Sequence, residues 1–165
     1  MTVGAGHARF EAHNRVRVGD RELTAPRIFI NVGGRALVPP MPGISDVKYL
    51  TNTSMLALDQ VPDHLLVVGG SYIGLEFAQM YRRFGARVTV VERGARLVGR
   101  EDPEISEAIA EILRAEGIAL RLGAECVRLA PHPDGVAVGV TCTEGAPEIV
   151  GSDLLLAVGR VPNTG

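Results

Sequence analysis

Leu65-Leu66-Val67-Val68-Gly69-Gly70-Ser71-Tyr72-Ile73-Gly74-Leu75-Glu76 decides how this chain folds. A short apolar run stops at a glycine-rich turn, and the turn opens an amphipathic pattern of helical period. Strand, tight turn and helix N-terminus in that order form the first half of a βαβ unit. Free backbone N–H groups and the positive end of the helix dipole there face an anion. A second strand pattern, Arg87-Val88-Thr89-Val90-Val91, follows and ends in Glu92. Glu92 lies eighteen residues past Gly74, near the offset of about 20 expected of a carboxylate that binds a ribose. Read as G-x-G-x-x-G, the turn is Gly69, Ser71 and Gly74, with serine in place of the middle glycine. Serine keeps the backbone N–H and adds a hydroxyl for a phosphate oxygen, but its Cβ takes space where the backbone should approach the pyrophosphate. A tight strand–helix turn without a ligand is the plainer alternative.

Working outward, the helix after the turn is expected to bury Ile73, Phe77, Met80, Tyr81 and Phe84. It should end at Gly85, with Arg82 and Arg83 complementing its dipole. A second helix is signalled by Asp102 as cap and Pro103 at the first helical position. Its inner stripe is Ile105, Ala108, Ile109, Ile112 and Leu113, and Gly117 ends it. Ile118–Leu122 reads as a third strand. Three strands joined by two crossover helices predict a parallel, doubly wound α/β sheet. Residues 124–158 read as an antiparallel meander around Pro131–Gly135 and Glu144–Pro147, closing with a buried strand from Asp153 to Val158.

Before the βαβ unit, Arg15–Val18 and Glu22–Thr24 flank Gly19-Asp20, a hairpin dipeptide. Ile28–Val32 reads as a buried strand. Pro39-Pro40-Met41-Pro42-Gly43 breaks regular structure, and a domain boundary is expected within 39–60.

Composition narrows the function. The 165 residues are 46% hydrophobic with a net charge of −2, which describes a globular domain and not a nucleic-acid binder or a polybasic membrane-surface protein. No apolar run is long enough for a membrane span and no apolar leader follows Met1, so a cytoplasmic location is expected. Cys126 and Cys142 lack C-x-x-C spacing and read as inert buried thiols. His7, His13, His64 and His132 lack metal-ligand spacing, and no metal site is expected.

The run from Val67 to Ala78, taken with Ala157-Val158-Gly159-Arg160-Val161-Pro162-Asn163-Thr164, resembles the flavoprotein pyridine nucleotide-disulfide oxidoreductases. Glu101-Asp102-Pro103-Glu104-Ile105 and Gly6-His7-Ala8-Arg9-Phe10 look most like the mercuric reductase-like branch, with the dihydrolipoamide dehydrogenase-like enzymes as kin. The resemblance implies a Rossmann-like FAD/NAD(P)-binding fold with a parallel sheet, two crossover helices and an antiparallel β-meander. An N-terminal β-rich remnant of an FAD domain precedes it. Residues 1–45 would be that remnant and a linker, 46–160 the NAD(P)-binding domain, and 161–165 the return to the FAD domain.

By the same resemblance, Gly69, Ser71 and Gly74 cradle the pyrophosphate, and Gly70 and Ile73 in the same turn bind the cofactor. Tyr72 covers the nicotinamide pocket, and Glu76 stands near the carboxamide. A carboxylate one turn into an apolar helix is costly if buried without a partner, which favours a site role for Glu76. Glu92 accepts from the ribose hydroxyls and would repel a 2′-phosphate, so NADH is favoured over NADPH. Arg93, Arg96 and Arg100 just beyond suit phosphate, or form a solvated loop. Gly159 lets the last strand approach the cofactor, or is a plain turn glycine. Arg160 and Asn163 secure the crossover back to the flavin domain.

The family's FAD fingerprint, redox cysteine pair and dimerisation domain with its catalytic residues have no match here. The expectation is a cofactor-binding piece with no catalytic residue of its own, weakly active or inactive alone, from an enzyme that also holds FAD. It would assemble as a homodimer. A stand-alone dinucleotide-binding module without catalysis, or a remnant that folds and binds nothing, are the alternatives.

Overall fold

The computed structural model describes residues 2–141 and 146–164. The chain divides into two compact units, Met1–Gly33 with Asn163–Gly165, and Gly34–Pro162.

The first unit contains a three-stranded antiparallel sheet of β1 (Ala8–Ala12), β2 (Arg15–Val18) and β3 (Arg21–Thr24), in that order. Gly19 turns the β2–β3 hairpin in the left-handed region at φ 58°. Ile28–Val32, expected to be a buried strand, is not one: no ladder includes it, and Phe29 is 89% exposed. An apolar β-branched run states a preference, but a strand exists only where another strand takes up its N–H and C=O groups.

The second unit is built on a four-stranded parallel sheet in the order β11-β5-β6-β7. Its strands are β5 (His64–Val68), β6 (Arg87–Val91), β7 (Ala119–Arg121) and β11 (Asp153–Leu156). Helix α2 (Tyr72–Arg83) connects β5 to β6, and α3 (Pro103–Ala115) connects β6 to β7; a short α1 (Asn52–Met55) lies upstream. Leu65, Leu66, Val67, Val90, Val91, Leu154, Leu155 and Leu156 are nearly or wholly inaccessible, as strands covered on both faces require. One face carries α2 and α3 through Leu75, Ala78, Tyr81, Ala110 and Leu113. The other packs against an antiparallel meander of β8 (Glu125–His132), β9 (Gly135–Thr141) and β10 (Glu148–Gly151), through Leu129, Val136 and Val138. This is the expected Rossmann-like architecture with its meander. Part of Glu144–Pro147, and Cys142, fall outside the described residues.

Both long helices end in the same way. Ala86 N–H bonds Tyr81 O and Gly85 N–H bonds Arg82 O after α2; Ile118 N–H bonds Leu113 O and Gly117 N–H bonds Arg114 O after α3. Gly85 and Gly117 hold φ 105° and 81°, so both ends are Schellman motifs with glycine at C′. Arg82 Nε also donates to Glu116 O, and Arg83 pairs with the Glu116 carboxylate, which joins the two helix ends.

Three details of the helices depart from the sequence reading. The buried face of α2 is Gly74, Leu75, Ala78 and Tyr81, while Phe84 is 60% exposed. The buried face of α3 is Ser106, Ala110 and Leu113, while Ile105 and Ile112 are exposed. Small residues face the sheet in both, because they let a helix backbone approach it closely. Asp102 stands at the N-cap position with extended backbone, but its side chain makes no capping bond.

Two strands had no signal in the sequence. β4 (Gly34–Ala36) pairs antiparallel with β12 (Arg160–Pro162), and the Arg160 guanidinium donates to Gly34 O at 2.6 Å. Each is three residues long and its partner is distant in sequence.

At the amino end of β5, His64 Nε2 lies 2.9 Å from Thr89 Oγ1. Burial, reinforced by the neighbouring Arg87, holds the His64 pKa below the ordinary histidine range against an opposing backbone hydrogen bond at Val150. The folded chain therefore favours neutral His64, and the unfolded chain binds the proton first as pH falls. This contribution is complete above about pH 6.5 and is lost as pH drops below that value. The urea midpoint is expected to fall between pH 7.5 and 5.5, and His64→Gln to flatten that slope. An unchanged slope in the variant would remove His64 as its source.

Candidate functional site

A cleft of about 1060 Å³ opens at the carboxyl ends of β5, β6 and β11. The strand order β11-β5-β6-β7 reverses direction between β11 and β5, and crevices at such switch points are where open α/β sheets hold ligands.

Gly69, Gly70, Ser71, Tyr72 and Ile73 line the cleft as one wall. Gly69 has φ 114°, and a Cβ there would lie 2.4 Å from Ala157 O. A Cβ on Gly70 would meet Leu97 Cδ2 at 2.7 Å, and one on Gly74 would meet Gly69 O at 2.2 Å. Gly69 and Gly74 are thus required by backbone atoms, while a Cβ on Gly70 would press on the Leu97 and Glu92 side chains. Ser71 is different: it is exposed, extended at φ −108°, and its hydroxyl makes no capping bond. The first internal bond of α2 runs from Leu75 N–H to Ser71 O, so the N–H groups of the helix's first turn are open toward an anion.

Glu92 is bound from two sides. Its Oε2 accepts from Gly70 N–H and its Oε1 from Gly94 N–H, both at 2.6 Å. The carboxylate thereby fixes the glycine-rich turn to the segment following β6. A second tie runs from Val98 N–H to Gly70 O at 2.8 Å. Val98 is buried with φ 41°, a left-handed conformation that costs a β-branched residue on the order of 1–3 kcal/mol. Arg93, Gly94, Arg96, Gly99 and Arg100 line the same wall. Arg96 donates to Gly99 O, and none of these three arginines forms an ion pair among the described residues.

Tyr72 is half-exposed, and its hydroxyl donates to the Glu101 carboxylate. That bond raises its pKa above the ordinary tyrosine value. Gly159, at φ 135°, and Arg160 line the opposite side with Ala157 and Val158. Met41, Pro42, Ala124 and Val127 add apolar surface.

Of the residues singled out in the sequence, the structure gathers Gly69, Gly70, Ser71, Tyr72, Ile73, Glu92, Arg93 and Gly159 around one cleft. Gly74 stands behind the turn, packed on Gly69. Glu76 is exposed on α2 and does not line the cleft, so the burial argument for its role does not apply. Sequence reasoning missed Gly94, Val98 and Glu101. Gly94 could have been found, as a glycine two residues past the acid; the other two depend on how the segment folds. Among the described residues no cluster of three metal-ligating side chains occurs, and no helix is long and apolar enough to cross a membrane.

The fold is a Rossmann-like α/β fold with a cleft at the carboxyl ends of its parallel strands. The chain belongs to the pyridine nucleotide-disulphide oxidoreductase family, which it matches over residues 1–165. It is 40% identical over 157 residues to a mercuric reductase of Bacillus cereus, covering 95% of this chain and 25% of that protein. It is 39% identical over 164 residues to the probable pyridine nucleotide-disulfide oxidoreductase RclA of Escherichia coli, covering 96% of this chain and 36% of that one. The solved structure of the HOCl-induced flavoprotein disulfide reductase RclA from Escherichia coli superposes with a TM-score of 0.79 at 37% identity, over 97% of this chain and 36% of that one. The chain thus spans about a quarter to a third of the relatives it matches. Its relatives are flavoprotein oxidoreductases, and the mercuric reductase-like resemblance is upheld.

Proposed function

We propose that Gly34–Pro162 is the NAD(P)H-binding part of an FAD-dependent oxidoreductase. The observation that carries this reading is the Gly69–Gly74 turn at the switch point, with Glu92 at the end of the next strand bound to it. In the whole enzyme a dinucleotide held here would supply a hydride to a flavin, for reduction of a disulfide or an Hg(II)-type substrate.

The residues present fit such a group. Open N–H groups at the start of α2 and the Ser71 hydroxyl would hold a pyrophosphate. Glu92 has given one lone pair on each oxygen to a backbone N–H, and a carboxylate offers about four acceptor sites. It therefore retains capacity for the ribose hydroxyls. Its charge opposes a 2′-phosphate and favours NADH, while Arg93 provides a cation beside the same group. Gly159 leaves the end of β11 open to close approach, since a Cβ there would meet only Leu37 at 3.7 Å. Tyr72 is the residue we assign to covering the nicotinamide end, and Glu76 to the vicinity of its carboxamide.

With this reading come a cytoplasmic enzyme, a homodimer, and little catalysis by the chain alone. The exposed Phe29, Ile30 and Val32 support a covering partner for residues 1–33.

The test is calorimetric titration of the folded chain with NADH and then NADPH. Binding of both is expected, with NADH tighter by a factor of a few. Tighter NADPH would reverse the preference, and no heat from either in a folded sample would overturn the assignment.

A further inference from the structure

Gly70 is held by both of its backbone groups. Its N–H donates to the Glu92 carboxylate, and its carbonyl accepts from Val98 N–H at 2.8 Å. The second bond does more than join two segments. A trans peptide is planar, with its C=O and N–H pointing in opposite directions, and no peptide bond here is cis. The carbonyl of Gly70 and the N–H of Ser71 belong to one peptide unit, so whatever fixes the carbonyl also aims that N–H. Gly69 N–H and Gly70 N–H are already taken, by Val91 O and by Glu92. Ser71 N–H has no acceptor among the described residues. It is therefore the first donor along the glycine-rich turn that is left for an anion.

Val98 meets three demands at once. Its side chain is buried in the same core cluster as Leu97. Its carbonyl accepts Glu101 N–H at 2.8 Å, which closes a turn over residues 98–101. Its own N–H reaches Gly70. All three are met at φ 41°, and among the described residues Val98 is the single one other than glycine with a positive φ. A left-handed conformation is costly for a β-branched residue, and such outliers persist where the surrounding structure over-determines them. Here the core, the turn and Gly70 supply that surrounding structure.

We infer that Val98 is a positioning residue: its left-handed backbone holds the Gly70–Ser71 peptide unit so that Ser71 N–H is presented to a phosphate group in the cleft. This rests on the dinucleotide reading of the cleft. Val98 acts through its backbone N–H, and it does so from the segment that follows β6, outside the glycine-rich turn itself.

The experiment uses the full 165-residue chain and three probes: NADH, ADP, which keeps the pyrophosphate, and adenosine, which has no phosphate. Amide resonances of the unaltered chain are followed first. Val98 N–H is expected to resist hydrogen exchange with and without ADP, and the Ser71 N–H resonance to move with ADP but not with adenosine. Free exchange at Val98, or a Ser71 resonance indifferent to ADP in a chain that binds it, would overturn the inference. Next, Val98 is replaced by its α-hydroxy analogue, which turns the one N–H into an ester oxygen and keeps the side chain. Affinity for ADP and NADH is expected to fall about three- to tenfold, the span of one net hydrogen bond, with adenosine affinity unchanged. Equal weakening for all three probes would mean that Val98 supports the fold alone, and would overturn the positioning role. Unchanged ADP affinity would overturn it too, while leaving the dinucleotide reading intact. Val98→Gly and Val98→Ala test the backbone. Glycine is unstrained at a positive φ, so Val98→Gly should have the higher urea midpoint of the two; the reverse order would remove the left-handed turn on which the inference stands. Binding of neither NADH nor ADP by the folded, unaltered chain would overturn the dinucleotide reading and the inference together.

Discussion

Glu92→Ala is expected to lower folding stability by about 2–3 kcal/mol and to remove detectable NADH binding. The stability loss comes chiefly from one donor. Gly70 is buried, and without the carboxylate its N–H has no acceptor; Gly94 is exposed and its N–H turns to water. A hydrogen bond to a charged group is worth about 1.5–3 kcal/mol, and the orphaned buried donor sets the size of the loss. The binding loss has two sources. The ribose acceptor is gone, and the turn that aims the N–H groups of α2 is no longer fixed to the segment after β6. Glu92→Gln separates them: one amide oxygen can still accept from Gly70, so stability should fall by less than half as much while binding still weakens. Urea unfolding and NADH titration of the two variants check this. An unchanged urea midpoint in Glu92→Ala would show that the bond to Gly70 does not support the turn.

Gly69→Ala is expected to be more damaging still. The added Cβ would stand 2.4 Å from Ala157 O and 2.6 Å from Ala157 C, both backbone atoms. The residue would also have to hold φ 114°, which L side chains rarely adopt. Backbone strain and overpacking are each worth on the order of 1–3 kcal/mol, so a loss of about 3 kcal/mol or more is expected. For a chain of this length that lowers the melting temperature by roughly 6–12 °C. The clash also forces β5 and β11 apart at their carboxyl ends, where the cleft lies. Ser71→Gly in the same turn is the contrast. Ser71 is exposed, has an ordinary φ and makes no capping bond, so only a few tenths of a kcal/mol should be lost. Equal melting temperatures for Gly69→Ala and the unaltered chain would refute the crowding argument.

The elements that the sequence displayed clearly are those written by neighbouring residues. The strand at Arg87–Val91 was bounded correctly because apolar residues and their flanking breakers are adjacent. The ends of α2 and α3 were legible in Gly85 and Gly117, since a left-handed C′ residue is a local demand. The faces of those helices were legible only in part. Period selects a set of apolar residues, but the side that turns inward depends on how near the sheet lies. Gly74, Ala78 and Ala110 permit the close approach, which leaves Phe84, Ile105 and Ile112 outside. Ile28–Val32 carried the composition of a strand without a pairing partner, and composition cannot supply one.

The candidate site divides in the same way. By itself the sequence determined that a glycine-rich turn joins a buried strand to a helix, and that an acid ends the next strand. These are short-range facts, and they sufficed to place the family and the position of the cleft. Only the tertiary structure decided what the acid holds, that Val98 turns left-handed, that β4 finds β12, and that Tyr72 meets Glu101. The physical reason is the strand order. With β5 flanked by β6 and β11, residues 92–101 and 157–159 converge on the carboxyl end of β5 from opposite sides, and no local propensity encodes that meeting.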